Sequence, residues 1–178
     1  METAKKCFSL AVGALTVALI VGPAVNVRAV KIPAGQAGAA TGAQTAQSAA
    51  KADANGVIVF DKDAVDQGFA KGATLYNGNT EGRNYRVHTL RRDAPGEVEV
   101  HTKDTDIFYI LDGSATFVTG GVMNGGRDTA PDEKRGASMT GGTTYHLSKG
   151  NIVIIPANVT HWFKELQAPV TYLVIKVR

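Results

Sequence analysis

Two short stretches of this chain carry side chains of metal-binding type where the flanking pattern is apolar. The first reads Glu99-Val100-His101-Thr102-Lys103-Asp104-Thr105-Asp106. Side chains on a strand alternate between faces, so Glu99 and His101 share one. Glu97 has the same parity but lies closer to a turn. Asp106 opens the next apolar run, with Phe108 and Ile110 following on its parity. The second stretch is Pro156-Ala157-Asn158-Val159-Thr160-His161-Trp162-Phe163. There His161 opens a strand directly after a proline-bounded turn, and Phe163 shares its face. Imidazole nitrogens and carboxylate oxygens are the donors that suit a divalent Mn, Fe, Zn, Co or Ni. Phe108, Ile110 and Phe163 could wall a pocket around a small ligand, or simply fill a core. His88 and His146 read as ordinary strand residues. Trp162 has the opposite parity and faces a neighbouring layer or a partner copy. Residue types alone assign no catalytic residue.

Such side chains need a scaffold of strands to bring them together. Residues 57–60 (VIVF) predict a short strand, and Asp61 then caps a helix over 62–70 that Gly72 ends. Strands are expected at 73–76, 85–91, 97–103, 106–111, 115–119, 135–140, 143–147, 152–155, 161–165 and 170–177. Turn signals separate them at Pro95-Gly96, Asp112-Gly113, Gly120-Gly121, Gly141-Gly142, Lys149-Gly150, Pro156-Ala157-Asn158 and Ala168-Pro169. Many short strands with frequent turns imply an all-β sandwich or barrel. Residues 121–134 are too polar for a core strand. They predict either a solvated hairpin tip or a loop closing over a pocket. On the early strand, either Tyr85 or Arg86 faces inward.

The text GEVEVHTKDTDIFYILDG, followed by GNIVIIPANVTHWF, resembles the two motifs of the cupin superfamily. The likeness covers roughly residues 96–165 and, more loosely, 57 to the end. Asp106 stands where the family's first motif has a glutamate, and Gly113 follows at the family's spacing. His101 matches the second histidine and Glu99 occupies the place of the first. Gly96 lies nearer to that pair than the family's opening glycine does. A competing register makes His101 the first histidine and puts Lys103 in place of the second. Gly150, Pro156 and His161 keep the spacing of the second motif, with Asn158 replacing its inner glycine. The resemblance implies a cupin-like jelly-roll barrel with one short N-terminal helix. It also implies a divalent metal held by Glu99, His101, Asp106 and His161, where the family's usual set is three histidines and a glutamate. Alternatively the barrel has lost the metal, and these residues form a polar cluster.

The opening residues look like a processing segment. Lys5 and Lys6 precede an apolar run, and Val27-Arg28-Ala29 resembles a cleavage site. Cleavage is expected after Ala29, or nearer Ala24. The chain is thus expected to be exported, to a periplasm or outside the cell, with no stable membrane association once processed. Residues 30–56, rich in Ala and Gly, are expected to form a flexible leader before a single domain at 57–178. The only cysteine, Cys7, lies in the segment to be removed, so the mature chain has no thiolate ligand or disulfide. The full chain has 19 basic and 16 acidic residues; losing Lys5, Lys6, Arg28 and Glu2 leaves 16 and 15. No basic stripe with interleaved aromatics remains, which argues against a nucleic-acid partner. Three functions fit. One is a small-molecule enzyme acting on an organic acid or sugar through the metal. The second is a non-catalytic module binding a small ligand. The third is a metal-free structural barrel, homodimeric through an exposed strand edge.

Overall fold

The computed structural model describes residue 50 and residues 52–178. The expected signal segment and most of the leader lie outside them. No helix among the described residues is long and apolar enough to cross a membrane. Residues 57–60 do not form the expected strand. The side chain of Asp53 instead accepts from the backbone N–H of Asn55 and Val57, and the backbone N–H of Asp53 donates to Val57 O. That closes a local turn, and Val57 and Val59 are left exposed. Asp61 then caps α1 (Lys62–Lys71) by accepting from Ala64 N–H at 2.7 Å, as its residue type predicts.

The rest is strand: β1 (Ala73–Asn77), β2 (Tyr85–Arg92), β3 (Val98–His101), β4 (Thr105–Thr119), β5 (Val122–Asn124), β6 (Arg127–Ala130), β7 (Glu133–Gly136), β8 (Ser138–Thr140), β9 (Thr143–Ser148), β10 (Ile152–Ile155) and β11 (His161–Val177). Two expected turns are absent. Asp112-Gly113 lies within β4, and Ala168-Pro169 within β11. The two long strands pair along their whole length, and the register slips between Leu166 and Tyr172. Gly113, at φ +82°, sits against this slip. Residues that announce a reversal here make bulges, which bend a ribbon without ending it. Residues 121–134 agree with the solvated-hairpin expectation. They form β5, β6 and the turn into β7, and β7 pairs with β3. The polar side chains of this segment are accommodated because β6 is fully exposed.

The bent β4–β11 ribbon carries two faces of one nine-stranded sheet. On one half, residues 170–177 of β11 pair with β2, and residues 106–109 of β4 pair with β10. On the other half, His161 pairs with Glu99 of β3 and residues 114–119 of β4 pair with β9. Strands β1, β6, β9 and β10 each have a single neighbour. The sheet therefore curls into an open half-barrel that resembles a cupin jelly roll, mostly β with one helix, rather than a closed barrel. Side chains from both halves meet inside. Phe117 and Phe163 stand 4.8 Å apart between ring centres, Phe163 and Tyr172 5.2 Å, and Phe108 and Tyr172 5.3 Å.

A Cβ on Gly113 would run into the carbonyl oxygen of Pro169. Gly113→Ala should therefore cost about 2–4 kcal/mol in chemical denaturation. Gly82→Ala serves as the control, because its φ is also positive but the space beside it is open. Equal losses in the two variants would mean that the ribbon does not depend on this close approach.

Candidate metal centre

Three donors converge at the mouth of the half-barrel. Glu99, His101 and His161 each offer a ligand atom, all within 4.8 Å of one another. Local strand geometry explains the meeting. Glu99 and His161 are direct cross-strand partners, and His101 is two residues further along β3. The chain then crosses at residues 102–104 to the facing half of the sheet, where β4 begins with Thr105 and Asp106. Two backbone bonds hold the crossing: Thr102 N–H donates to Asp132 O at 2.9 Å, and Asn158 N–H donates to His101 O at 2.8 Å. Asn158, at φ +67°, takes the left-handed conformation that its place in the motif requires.

Three of the four expected ligands make this cluster, and Asp106 approaches its two imidazoles from the facing half of the sheet. Nε2 of His101 lies 3.4 Å from Oδ2 of Asp106 and 3.7 Å from Oε2 of Glu99. Nε2 of His161 lies 3.9 Å and 4.0 Å from the same two atoms. Donors about 2.1 Å from a tetrahedral metal are about 3.4 Å apart, so these four imidazole–carboxylate distances lie within about 0.6 Å of that spacing. His161 adds an independent sign. Its Nδ1 lies 3.1 Å from the carbonyl oxygen of Val159, which can only accept. The proton is thus on Nδ1, and Nε2 presents a lone pair. Nε2 is buried and has no partner. Buried polar atoms are rarely left so, and a backbone carbonyl holding the far nitrogen is how ligating histidines are oriented. Asp106 differs from the other three, because Nζ of Lys176 lies 2.7 Å from both its oxygens. Lys103 is exposed and paired with Asp132 at 3.0 Å, outside the cluster.

Cations that sequence reasoning did not single out surround the carboxylates. Burial opposes ionisation of Glu99, but the nearby His101 imidazole and the guanidinium groups of Arg92 and Arg135 outweigh it. They hold its carboxyl well below the usual range. Burial lowers the pKa of His161 against the pull of Glu99 and Asp106, which favours the neutral ligand form. Glu133 of β7 reaches the other side of His101, 3.7 Å from Nδ1. A signal for Lys176 was present in the alternation of residues 170–177. Val170, Tyr172 and Val174 make a buried stripe on the parity that Lys176 ends. Arg92 ends the corresponding row after Leu90. Arg135 and Glu133 lay in text read as turn or as the start of an outer strand.

Two cavities flank the cluster. One, of about 40 Å³, is lined by Arg92, Glu99, Phe108, His161, Phe163 and Lys176 among others. It holds a few waters at most. The other, of about 370 Å³, is lined by Arg86, His101, Asp104, Glu133, Lys176 and Arg178 with neighbouring residues of the β6–β7 turn. Of the three expected wall residues, Phe108 and Phe163 line the small cavity, whereas Ile110 is fully buried core. Arg86, not Tyr85, is the cavity residue of the early strand. His146 is exposed. Trp162 donates to Gly96 O at 2.7 Å, tying the Pro95-Gly96 turn to β11.

No protein-family model matches the chain, and no curated protein does. Solved structures do. The cupin domain of Schizosaccharomyces pombe Cnp3 is 16% identical with a TM-score of 0.43, over 60% of this chain and 62% of that one. A predicted oxalate decarboxylase from Thermotoga maritima is 13% identical with a TM-score of 0.41, over 60% and 77%. Pac13 of Streptomyces, a nucleoside dehydratase, is 8% identical with a TM-score of 0.37 over 53% of this chain. The match spans 60% of Pac13. At these identities and scores the likenesses bear on neither ligand nor reaction.

His88 lies on the row of β2 that ends in Arg92. Burial, then Arg86 and Lys176, push its pKa down to about 4 from 6.5. The fold thus favours its neutral form. Its contribution is complete above pH 6.5 and is lost as the pH falls through about 4, by up to about 3 kcal/mol. His88→Gln should flatten the stability profile between these limits in denaturant melts. An unchanged slope would assign the loss to other groups.

Proposed function

We propose that the protein is an exported, cupin-like small-molecule enzyme that holds a divalent metal with Glu99, His101 and His161, and with Asp106 as a fourth donor. The observation that carries this reading is the buried, unpartnered Nε2 of His161, aimed at two carboxylates and a second imidazole. A bound metal would supply Lewis-acid polarisation of a substrate oxygen or a water. The chain's own residues prepare the place. Arg92 and Arg135 keep Glu99 ionised, and the Val159 carbonyl fixes the His161 tautomer. Lys176 orients Asp106 through both oxygens. Phe108, Phe163 and Tyr172 exclude water from the inner side. The larger cavity beside His101 has the size of a small organic ligand site, in keeping with an organic acid or sugar. The small inner cavity, walled by aromatic rings, favours one alternative: a structural barrel with no small-molecule role.

Elemental analysis of chain purified without chelators should find about one divalent metal per molecule. His101→Ala and His161→Ala should each reduce this to less than about one fifth. Undiminished metal in both variants would refute the ligand set. For export, intact-mass measurement of protein recovered outside the cytoplasm should show residues 1–29 removed. A full-length chain there would refute the processing reading.

A further inference from the structure

The charges around the cluster balance before any metal arrives. Glu99 is paired with Arg92 at 3.4 Å and Arg135 at 3.2 Å. Glu133, beside His101, is paired with the same Arg135 at 2.7 Å. Asp106 has Lys176 at 2.7 Å. Three carboxylates thus meet three cationic side chains, and none of the six is more than 23% exposed. With the imidazoles in the neutral form that a metal requires, the cluster carries no net charge. A divalent ion would leave an uncompensated double positive charge in a poorly solvated place, which is costly. The larger cavity leans the same way. Its three carboxylates, Asp104, Asp132 and Glu133, face three cations, Arg86, Lys176 and Arg178, so it too has no negative charge to spare for a metal. Lys176 lines both cavities.

We propose that the site takes its metal together with a small organic anion of the carboxylate class, held beside Lys176 in the larger cavity, each raising the affinity for the other. This rests on the metal reading above and names its substrate class as an organic acid rather than a neutral sugar. The anion supplies the negative charge that the chain has already spent on its own arginines and lysine. Coupling between two bound ligands is reciprocal, so the anion in turn binds weakly without metal. A further consequence runs against the usual expectation for a mutated site. Removing one of the balancing cations should strengthen metal binding in the absence of the anion.

The test is calorimetric titration of the full chain with Mn(II), at one ionic strength, in sodium perchlorate and in sodium acetate. Acetate is the anion probe, and perchlorate coordinates poorly. Acetate should lower the Kd for Mn(II) at least fivefold. Lys176→Met should bind Mn(II) in perchlorate at least as tightly as the native chain, with an acetate effect below twofold. Because this variant leaves buried Asp106 without its cation, Arg135→Gln is measured in parallel and should change in the same direction. A native chain that binds Mn(II) equally in both salts overturns the proposal and leaves the metal reading standing. Weaker Mn(II) binding in perchlorate by both folded variants also overturns it. No Mn(II) binding by the native chain in either salt overturns the metal reading, and the proposal with it.

Discussion

The antiparallel ribbon of β4 and β11 is the pairing from which every other strand of the nine-stranded sheet hangs. Strands β2 and β3 attach to β11, and β9 and β10 attach to β4. A straight ribbon of this length would give a flat sheet with its apolar face in water. The bend at Gly113 and the opposing slip in β11 fold that face onto itself, so that Phe108 and Tyr172 from one half pack on Phe117 and Phe163 from the other. The same bend sets the distance across the cluster. Glu99, His101 and His161 belong to one half, and Asp106 and Lys176 to the other. A change in the bend angle would move the second carboxylate relative to the imidazoles while leaving the three donors of the first half where they are.

Two buried carboxylates facing two imidazoles would repel each other and lose hydration. The fold answers by placing a cation behind each. Buried ion pairs of this kind add little net stability, because desolvation offsets most of the attraction. Their effect is directional. Both oxygens of Asp106 are held by one ammonium group, and Glu99 is held between two guanidinium groups, so neither carboxylate is free to rotate away. Arg92 illustrates how much one side chain is asked to do. It donates to Glu99 and to the Tyr172 hydroxyl, and lies 4.9 Å from the centre of the Phe163 ring. It joins the charged layer to the aromatic one.

What could be read from the sequence was set by how local the signals are. Alternation along residues 97–101 and 106–110, and the proline-bounded turn before His161, are short-range patterns, and they located the residues that the structure brings together. The cap on α1 is equally local. Turn residues misled where their context was long-range. Asp112-Gly113 and Ala168-Pro169 have the composition of hairpin loops, yet each faces the other across a continuous ribbon, and that pairing is invisible until both strands are placed. The polarity of residues 121–134 was read as a solvated hairpin, which is what the segment forms, but not as a source of side chains for the cluster. It reflects a short edge hairpin whose turn supplies Asp132 to Arg178 and whose β7 supplies Glu133 and Arg135 to the cluster. Charge partners such as Arg92 and Lys176 stand far from the motifs in sequence, so spacing alone does not find them.

His161 opens the strand that closes the fold. Until β11 is laid down against β2, β3 and β4, the chain has neither its long ribbon nor its last imidazole, and almost all of those contacts span a wide separation in sequence. Such pairing is slow, because much of the loop-closure entropy must be lost before the contacts form. Glu99, His101 and Asp106 are neighbours along the chain, but they lie on facing halves of the sheet, so their meeting waits on the same pairing. The cluster is therefore a product of the whole fold, and no fragment that lacks β11 can hold these side chains together.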